Sequence, residues 1–112
     1  MTAPRLNRRL ALEAEVVLSD GSGGFTRTWT LRGRLWAEVV PGSGRESGGV
    51  EVPLSTQPFR ITVRGAAQNT ASRPVAGQRF RDGSRVFAIV AVTERDIDGR
   101  YLICAAREEE PA

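Results

Sequence analysis

Three Asp-Gly steps, Asp20-Gly21, Asp82-Gly83 and Asp98-Gly99, punctuate this chain, each flanked by apolar or alternating runs. Glycine accepts the positive φ that a tight reversal requires, so Asp-Gly between such runs signals a hairpin. The chain therefore reads as all-β: a small antiparallel β-barrel or sandwich built from hairpins with long loops and little or no helix. Its 112 residues suffice for one domain with one modest core.

The alternation supports this reading segment by segment. Leu10, Leu12, Ala14, Val16 and Leu18 share one parity, with Glu13 and Glu15 on the other. Helical spacing of Leu6, Leu10, Ala14 and Val17 is the competing pattern, but the strand parity is cleaner and the glycine-rich turn Ser19–Gly24 follows. Phe25–Leu31 sets Phe25, Arg27, Trp29 and Leu31 against Thr26, Thr28 and Thr30. Gly33 interrupts as a bulge or bend would, and Leu35–Val40 resumes. Val50–Leu54 is expected as a short edge strand blunted by Pro53, and Phe59–Arg64 as a full strand. Gly65–Gly77 reads as a polar, mobile connection. Gln78–Arg81 leads into the second Asp-Gly turn. The nearly continuous apolar run Arg85–Thr93 is expected to be covered on both faces, and the third turn leads into Arg100–Arg107. The organisation is thus a basic N-terminal arm over 1–9, one β domain over 10–107 and an acidic C-terminal tail over 108–112.

Aromatic residues make up only 6% of the chain, so Trp29, Trp36, Phe59, Phe80, Phe87 and Tyr101 are the expected large anchors. All 16 basic residues are arginine, against 13 acids and no histidine. Codon bias accounts for arginine without lysine; arginine also suits protein interfaces through bidentate pairing and stacking. A net charge of +3, spread along the chain, is weak for a dedicated nucleic-acid binder.

Catalytic chemistry has little to work with. Cys104 is the lone cysteine, set in an apolar run, with no histidine to serve as its base. It reads as a buried small hydrophobe. No Walker or dinucleotide glycine pattern is present, and Gly42-Ser43-Gly44 lacks the lysine or following helix of a phosphate cradle. Asp96 and Asp98 could touch calcium but fit a solvated hairpin tip. No catalytic residue, cofactor, metal, membrane span or small-molecule substrate is expected. The chain should be soluble and made in the cytosol.

Several residues carry two readings. Arg5, Arg8 and Arg9 form either a solvated terminus or a partner-docking arm. Glu13 and Glu15 form a wet face or meet a neighbouring subunit. Trp29 and Trp36 serve as core or interface anchors, or as the stacking platform of a nucleic-acid-binding barrel. The last is the alternative function; it predicts salt-sensitive DNA affinity for the free protein.

The ordered landmarks resemble the phage head–tail joining family, also called head-completion, stopper or connector proteins. They are Arg8-Arg9-Leu10, Thr28-Trp29-Thr30, Leu35-Trp36-Ala37-Glu38-Val39, Ser43-Gly44-Arg45-Glu46, Arg60-Ile61-Thr62-Val63-Arg64, the run Phe80–Ile89, and Asp98-Gly99-Arg100-Tyr101-Leu102. The resemblance implies a small barrel that packs with copies of itself into a ring, hexameric or dodecameric. The ring would sit at the virion neck of a phage or a phage-like gene transfer particle, after assembly in the host cytoplasm. Its implied partners are the portal or adaptor protein, the tail terminator or another tail protein, and packaged DNA passing through the lumen. Stopper-type relatives close the channel with a projecting loop. By position, that loop would be Pro41, Gly42, Ser43, Gly44, Arg45, Glu46, Ser47, Gly48 and Gly49. Candidate interface residues are Arg5, Arg8, Arg9, Glu13, Glu15, Trp36, Glu38, Glu51, Arg107 and Glu108, with Trp36 as a buried anchor.

Overall fold

The computed structural model describes residues 3–42 and 57–109. Six strands are present: β1 (Arg8–Ser19), β2 (Phe25–Pro41), β3 (Gln57–Arg64), β4 (Arg79–Asp82), β5 (Arg85–Glu94) and β6 (Tyr101–Glu109). They close into an antiparallel barrel in the order β1-β2-β3-β6-β5-β4, the last strand returning to the first through Ala11↔Arg81 and Leu12↔Phe80. Closure leaves the barrel wall no free edge.

Each Asp-Gly step lies at a reversal. Gly83, with φ +62°, begins the two-residue connection between β4 and β5. The Asp20 carboxylate accepts from the Ser22 and Gly24 amides at 2.7 and 3.0 Å, organising the β1–β2 turn. Asp96 does the same for the Arg100 amide at 2.8 Å beside Gly99. At the latter end the backbones nearly touch. The Gly65 amide donates to the Arg100 carbonyl at 2.7 Å, and a Cβ on Gly65 would lie 2.0 Å from the Gly99 carbonyl oxygen.

Inward side chains fill the barrel. Leu10, Leu12, Ala37, Ile61, Val63, Phe80, Phe87, Ile89, Leu102, Cys104 and Ala106 form the core, with Leu35, Val39, Phe59 and Val92 packed against it. Of the six expected aromatic anchors, Phe80 and Phe87 are fully buried and Phe59 meets Phe87 edge-on at 5.2 Å between centroids. Trp29 and Tyr101 are only half-buried, and Trp36 is 55% exposed. They lie on the outer surface because a narrow barrel takes few large rings, and aliphatic residues fill the remainder.

Two bulges decide which residues face in. β2 runs without a break from Phe25 to Pro41, and the bulge or bend expected at Gly33 lies within it. The interruption is a register shift: Leu12 pairs with Gly33 and Glu13 with Leu31, leaving Arg32 as the extra residue. A one-residue insertion exchanges the faces of everything beyond it. Thr26, Thr28 and Thr30 therefore continue the inner face, and Phe25, Arg27, Trp29 and Leu31 turn outward. On β5 the shift lies between Ile89 and Ala91, with Val90 extra and 53% exposed. The run 85–93 is accordingly covered on one face, not on both. A single-walled barrel has nothing outside to cover the other face.

The Gly65–Gly77 connection is tied to the barrel at several points. Pro74 is buried, Arg73 donates to the Ala66 carbonyl at 2.8 Å, and the Gly77 amide donates to Ile89 at 3.0 Å. The expected strand Val50–Leu54 lies outside the described residues.

Candidate functional surface

β4 reaches β1 only at residues 11–13, so from Ala14 onward β1 has β2 as its sole sheet neighbour. Ala14–Ser19 and Phe25–Thr30 thus form a two-stranded arm extending from the barrel wall. The molecule is correspondingly elongated, 54 × 34 × 25 Å.

The arm's two faces differ. Its inner face continues the barrel lining and carries no charge. Cross-strand pairs Ala14↔Thr30, Val16↔Thr28 and Leu18↔Thr26 compose it, with Leu18 55% exposed and all three threonines exposed. Its outer face is anchored at the root. The Arg79 guanidinium stacks 4.1 Å from the centre of the Trp29 ring and donates to Glu13 Oε1 at 2.7 Å; Arg81 reaches the same oxygen at 3.4 Å. Farther out, Arg27 and Glu15 pair at 3.6 Å. Arg79 and Glu13 are largely buried, with side chains 13% and 15% exposed, so this contact is partly desolvated and stronger than a surface pair. Arg79 was not legible as a key residue; it stood in a segment read only as leading into the second Asp-Gly turn, and nothing marked Trp29 as its partner. Replacing it, Arg79→Ala, should speed amide hydrogen exchange in residues 14–30 by about tenfold with core strands unchanged, the loss of about 1.5 kcal/mol of local stability. Uniform exchange across the chain would contradict this role.

The remaining candidates are dispersed. Arg8 and Arg9 belong to β1: Arg8 pairs with Asp82, and Arg9 is exposed opposite Trp36. The Arg5 amide donates to Glu38 at 2.9 Å. Arg107 is exposed on β6. Glu108 and Glu109 extend that strand into the segment expected as a tail. Pro41 closes β2 opposite Phe59, and the Gly42 amide holds the Pro58 carbonyl at 2.8 Å. Residues 43–49 and Glu51 lie outside the described residues. No group of three metal-ligating side chains occurs among the described residues.

At the barrel end near Pro58, Arg85 and Glu108 form a two-point contact at 2.7 and 3.0 Å. The guanidinium lies 5.0 Å from the Phe87 ring centre and 5.7 Å from that of Phe59. Hydrogen bonding from Arg85 holds the Glu108 carboxyl below the ordinary glutamate range against the opposing effect of burial, with the charges of Arg85 and Arg8 adding to it. Arg85 is raised by the same hydrogen bond. A carboxyl depressed in the folded state stabilises above its unfolded pKa and loses that contribution as pH falls through the folded value. Glu108→Gln should therefore cost about 0.5–1 kcal/mol at neutral pH, discounted for partial exposure, and nothing once the wild-type carboxyl is protonated. Denaturant titrations from neutral to acid pH check it; a constant difference would show that the pair is inert.

Cys104 is fully buried, and desolvation pushes its thiol up to about 12 despite the opposing charge of Arg73. It has no reactive character in the folded protein. Thiol reagents should label it only at the rate of unfolding, and labelling as fast as a free thiol would refute its burial.

The comparisons agree with this architecture. The family described as phage head completion protein matches residues 1–109. A chain in the virion of a native gene transfer agent particle is similar at 52% identity and a TM-score of 0.80, over 98% of this chain and 100% of that one. Protein SF1141 from Shigella flexneri 2a, solved in solution, is similar at 26% identity and a TM-score of 0.70, over 96% of each chain. No curated protein is significantly similar. With a closed six-stranded barrel and a family match along nearly its whole length, the chain belongs to the phage head completion proteins.

Proposed function

We propose that this protein is a structural head–tail connector of a tailed phage or gene transfer particle, acting without catalysis. Copies pack head to tail into a closed ring between the portal or adaptor side of the capsid and the tail. The ring's lumen passes DNA, and residues 41–49 are the segment that retains or gates the genome.

The arm is the observation that supports this reading best. An isolated two-stranded ribbon is marginal in water, and this one leaves an uncharged face open while its outer face is bonded at the root. A neighbouring copy can cover that face. Contact between the arm of one subunit and a different surface on the next is heterologous, the interaction that generates rings when the rotation closes. The family membership and the likeness to a chain of a gene transfer agent virion support the same setting.

Deletion of the gene should yield DNA-filled heads without tails. Purified protein added back should bind their portal vertex and permit tail joining, and images of the completed neck should contain a collar of this chain. Normal particles from the deletion strain, or heads that ignore the added protein, would overturn the assignment.

A further inference from the structure

The arm leaves two strand edges unpaired. Over residues 14–19 β1 has only β2 beside it, and β2 meets β3 only from Ala37 onward, so residues 25–36 have only β1. Every second residue of an antiparallel strand turns its amide and carbonyl away from its partner, so both edges offer a row of donors and acceptors. The edges differ in charge. β1 turns Glu13, Glu15 and Val17 outward and no base; β2 turns Phe25, Arg27 and Trp29 outward along the arm and no acid. Arg27 meets Glu15 at 3.6 Å yet stays 71% exposed, so its guanidinium has donors to spare. Val17 is 50% exposed and Phe25 72%.

The same chain does not cover these edges. Residues 65–78 and 95–100 lie at the arm's end of the barrel, and their backbone bonds among the described residues run to one another, β5 and β6. Residues 1–2, 43–56 and 110–112 attach at the opposite end, where Arg8, Pro41, Gln57 and Glu109 bound their strands. The connection over 43–56 must double back after roughly 25 Å, and Pro41 is ten strand steps, roughly 33 Å, from Leu31. Residues 110–112 reach about 10 Å; Glu109 lies three ladder steps across and four residues down from Glu15, roughly 20 Å away. The Arg5 amide is held at Glu38, leaving residues 1–4 about 14 Å of reach against roughly 23 Å from Glu38 to Leu31.

We infer that the β1 edge of one arm hydrogen-bonds to the β2 edge of the arm on the next copy, joining all the arms into one closed antiparallel sheet. This rests on the self-association proposed above and adds the bonds that carry it. Charge selects the pairing. β1 against β1 would set glutamates against glutamates, and β2 against β2 would set Arg27 against its own copy; β1 against β2 brings opposite signs together. Rotation about a ring axis keeps every arm pointing the same way, so β1 and β2 of adjacent copies run antiparallel. One register also matches the side chains, with Glu15 opposite Arg27 and Val17 opposite Phe25. It is offset by two residues from the register inside the arm, so the uncharged residues keep to one face. A leaning arm thereby has its edge on the neighbouring arm and its uncharged face on the neighbouring barrel.

The test assembles particles from a mixture of Val17→Cys and Phe25→Cys copies, oxidises them and separates the chains by denaturing electrophoresis without reductant. Disulfide-linked dimers joining position 17 to position 25 are expected; Cys104 is buried and contributes none. Particles made from either variant alone should yield only monomers. Dimers from one variant alone would mean that like edges meet, and monomers from the mixture would mean that these edges do not meet. Either result overturns the inference while leaving the connector role standing. Absence of this chain from wild-type particles would remove the role beneath it. Charge exchange gives an independent reading. Glu15→Arg should reduce incorporation at least tenfold with an unchanged melting temperature, because the exposed pair inside the arm contributes little to folding. The double variant Glu15→Arg/Arg27→Glu should restore most of it; no restoration would reject the pairing.

Discussion

Phe87→Ala should lower unfolding free energy by about 3–5 kcal/mol, a large share of the roughly 5–15 kcal/mol available to a domain of this size. Phe87 is fully buried, meets the edge of Phe59 and lies beneath the Arg85 guanidinium. Truncation removes the buried ring's transfer free energy and leaves a cavity at the end of a barrel whose hydrogen-bonded wall cannot collapse inward. It also takes the support from under Arg85 and weakens its hold on Glu108. Denaturant unfolding monitored by tryptophan fluorescence measures the loss. The control is Val90→Ala on the same strand, where the side chain is 53% exposed at a bulge and the cost should stay within about 0.5 kcal/mol. Equal effects at the two positions would show that β5 is not oriented by its bulge as described.

The largest functional effect is expected from a charge on the arm. Thr28→Asp puts a carboxylate on the exposed inner face, opposite Val16, without touching the barrel core. The purified variant should melt within a degree or two of wild type. If a neighbouring copy covers this face, each interface buries one unpaired charge at about 2–5 kcal/mol, and the penalty recurs around a ring. A single contact weakened by about 3 kcal/mol already lowers its association constant more than 100-fold. Yields of tailed particles should fall by at least that factor while DNA-filled heads accumulate. Thr28→Val, which keeps the face uncharged, should leave yields near wild type. Normal yields with aspartate would mean that the arm faces solvent in the particle.

The same arm shows how far local pattern carries and where it stops. Alternation and Asp-Gly turns are properties of neighbouring residues, so β1, β3, β5, β6 and the reversals between strands were legible from them. The family was legible too, because its landmarks are ordered along the chain. The bulge at Gly33 was signalled, but its consequence was not: whether Arg32 is inserted depends on the partner strand, and that insertion decides which face of Phe25–Leu31 looks inward. The fate of the acids was hidden for a similar reason. Glu13 meets Arg79 across 66 residues and Glu108 meets Arg85 across 23, and no spacing rule connects them.

Sequence alone determined that this chain is all-β, that β1, β3, β5 and β6 are strands, where the chain reverses, and that its lone thiol belongs inside. These follow from φ preferences and two-residue periodicity, which act over a few bonds. Tertiary structure alone decided that the strands close into a barrel, that Trp36 stays outside it, and that the β1–β2 hairpin outruns the wall to become an arm. Closure and burial depend on which distant strands hydrogen-bond and how many rings a narrow interior admits, quantities defined only once the whole sheet has formed.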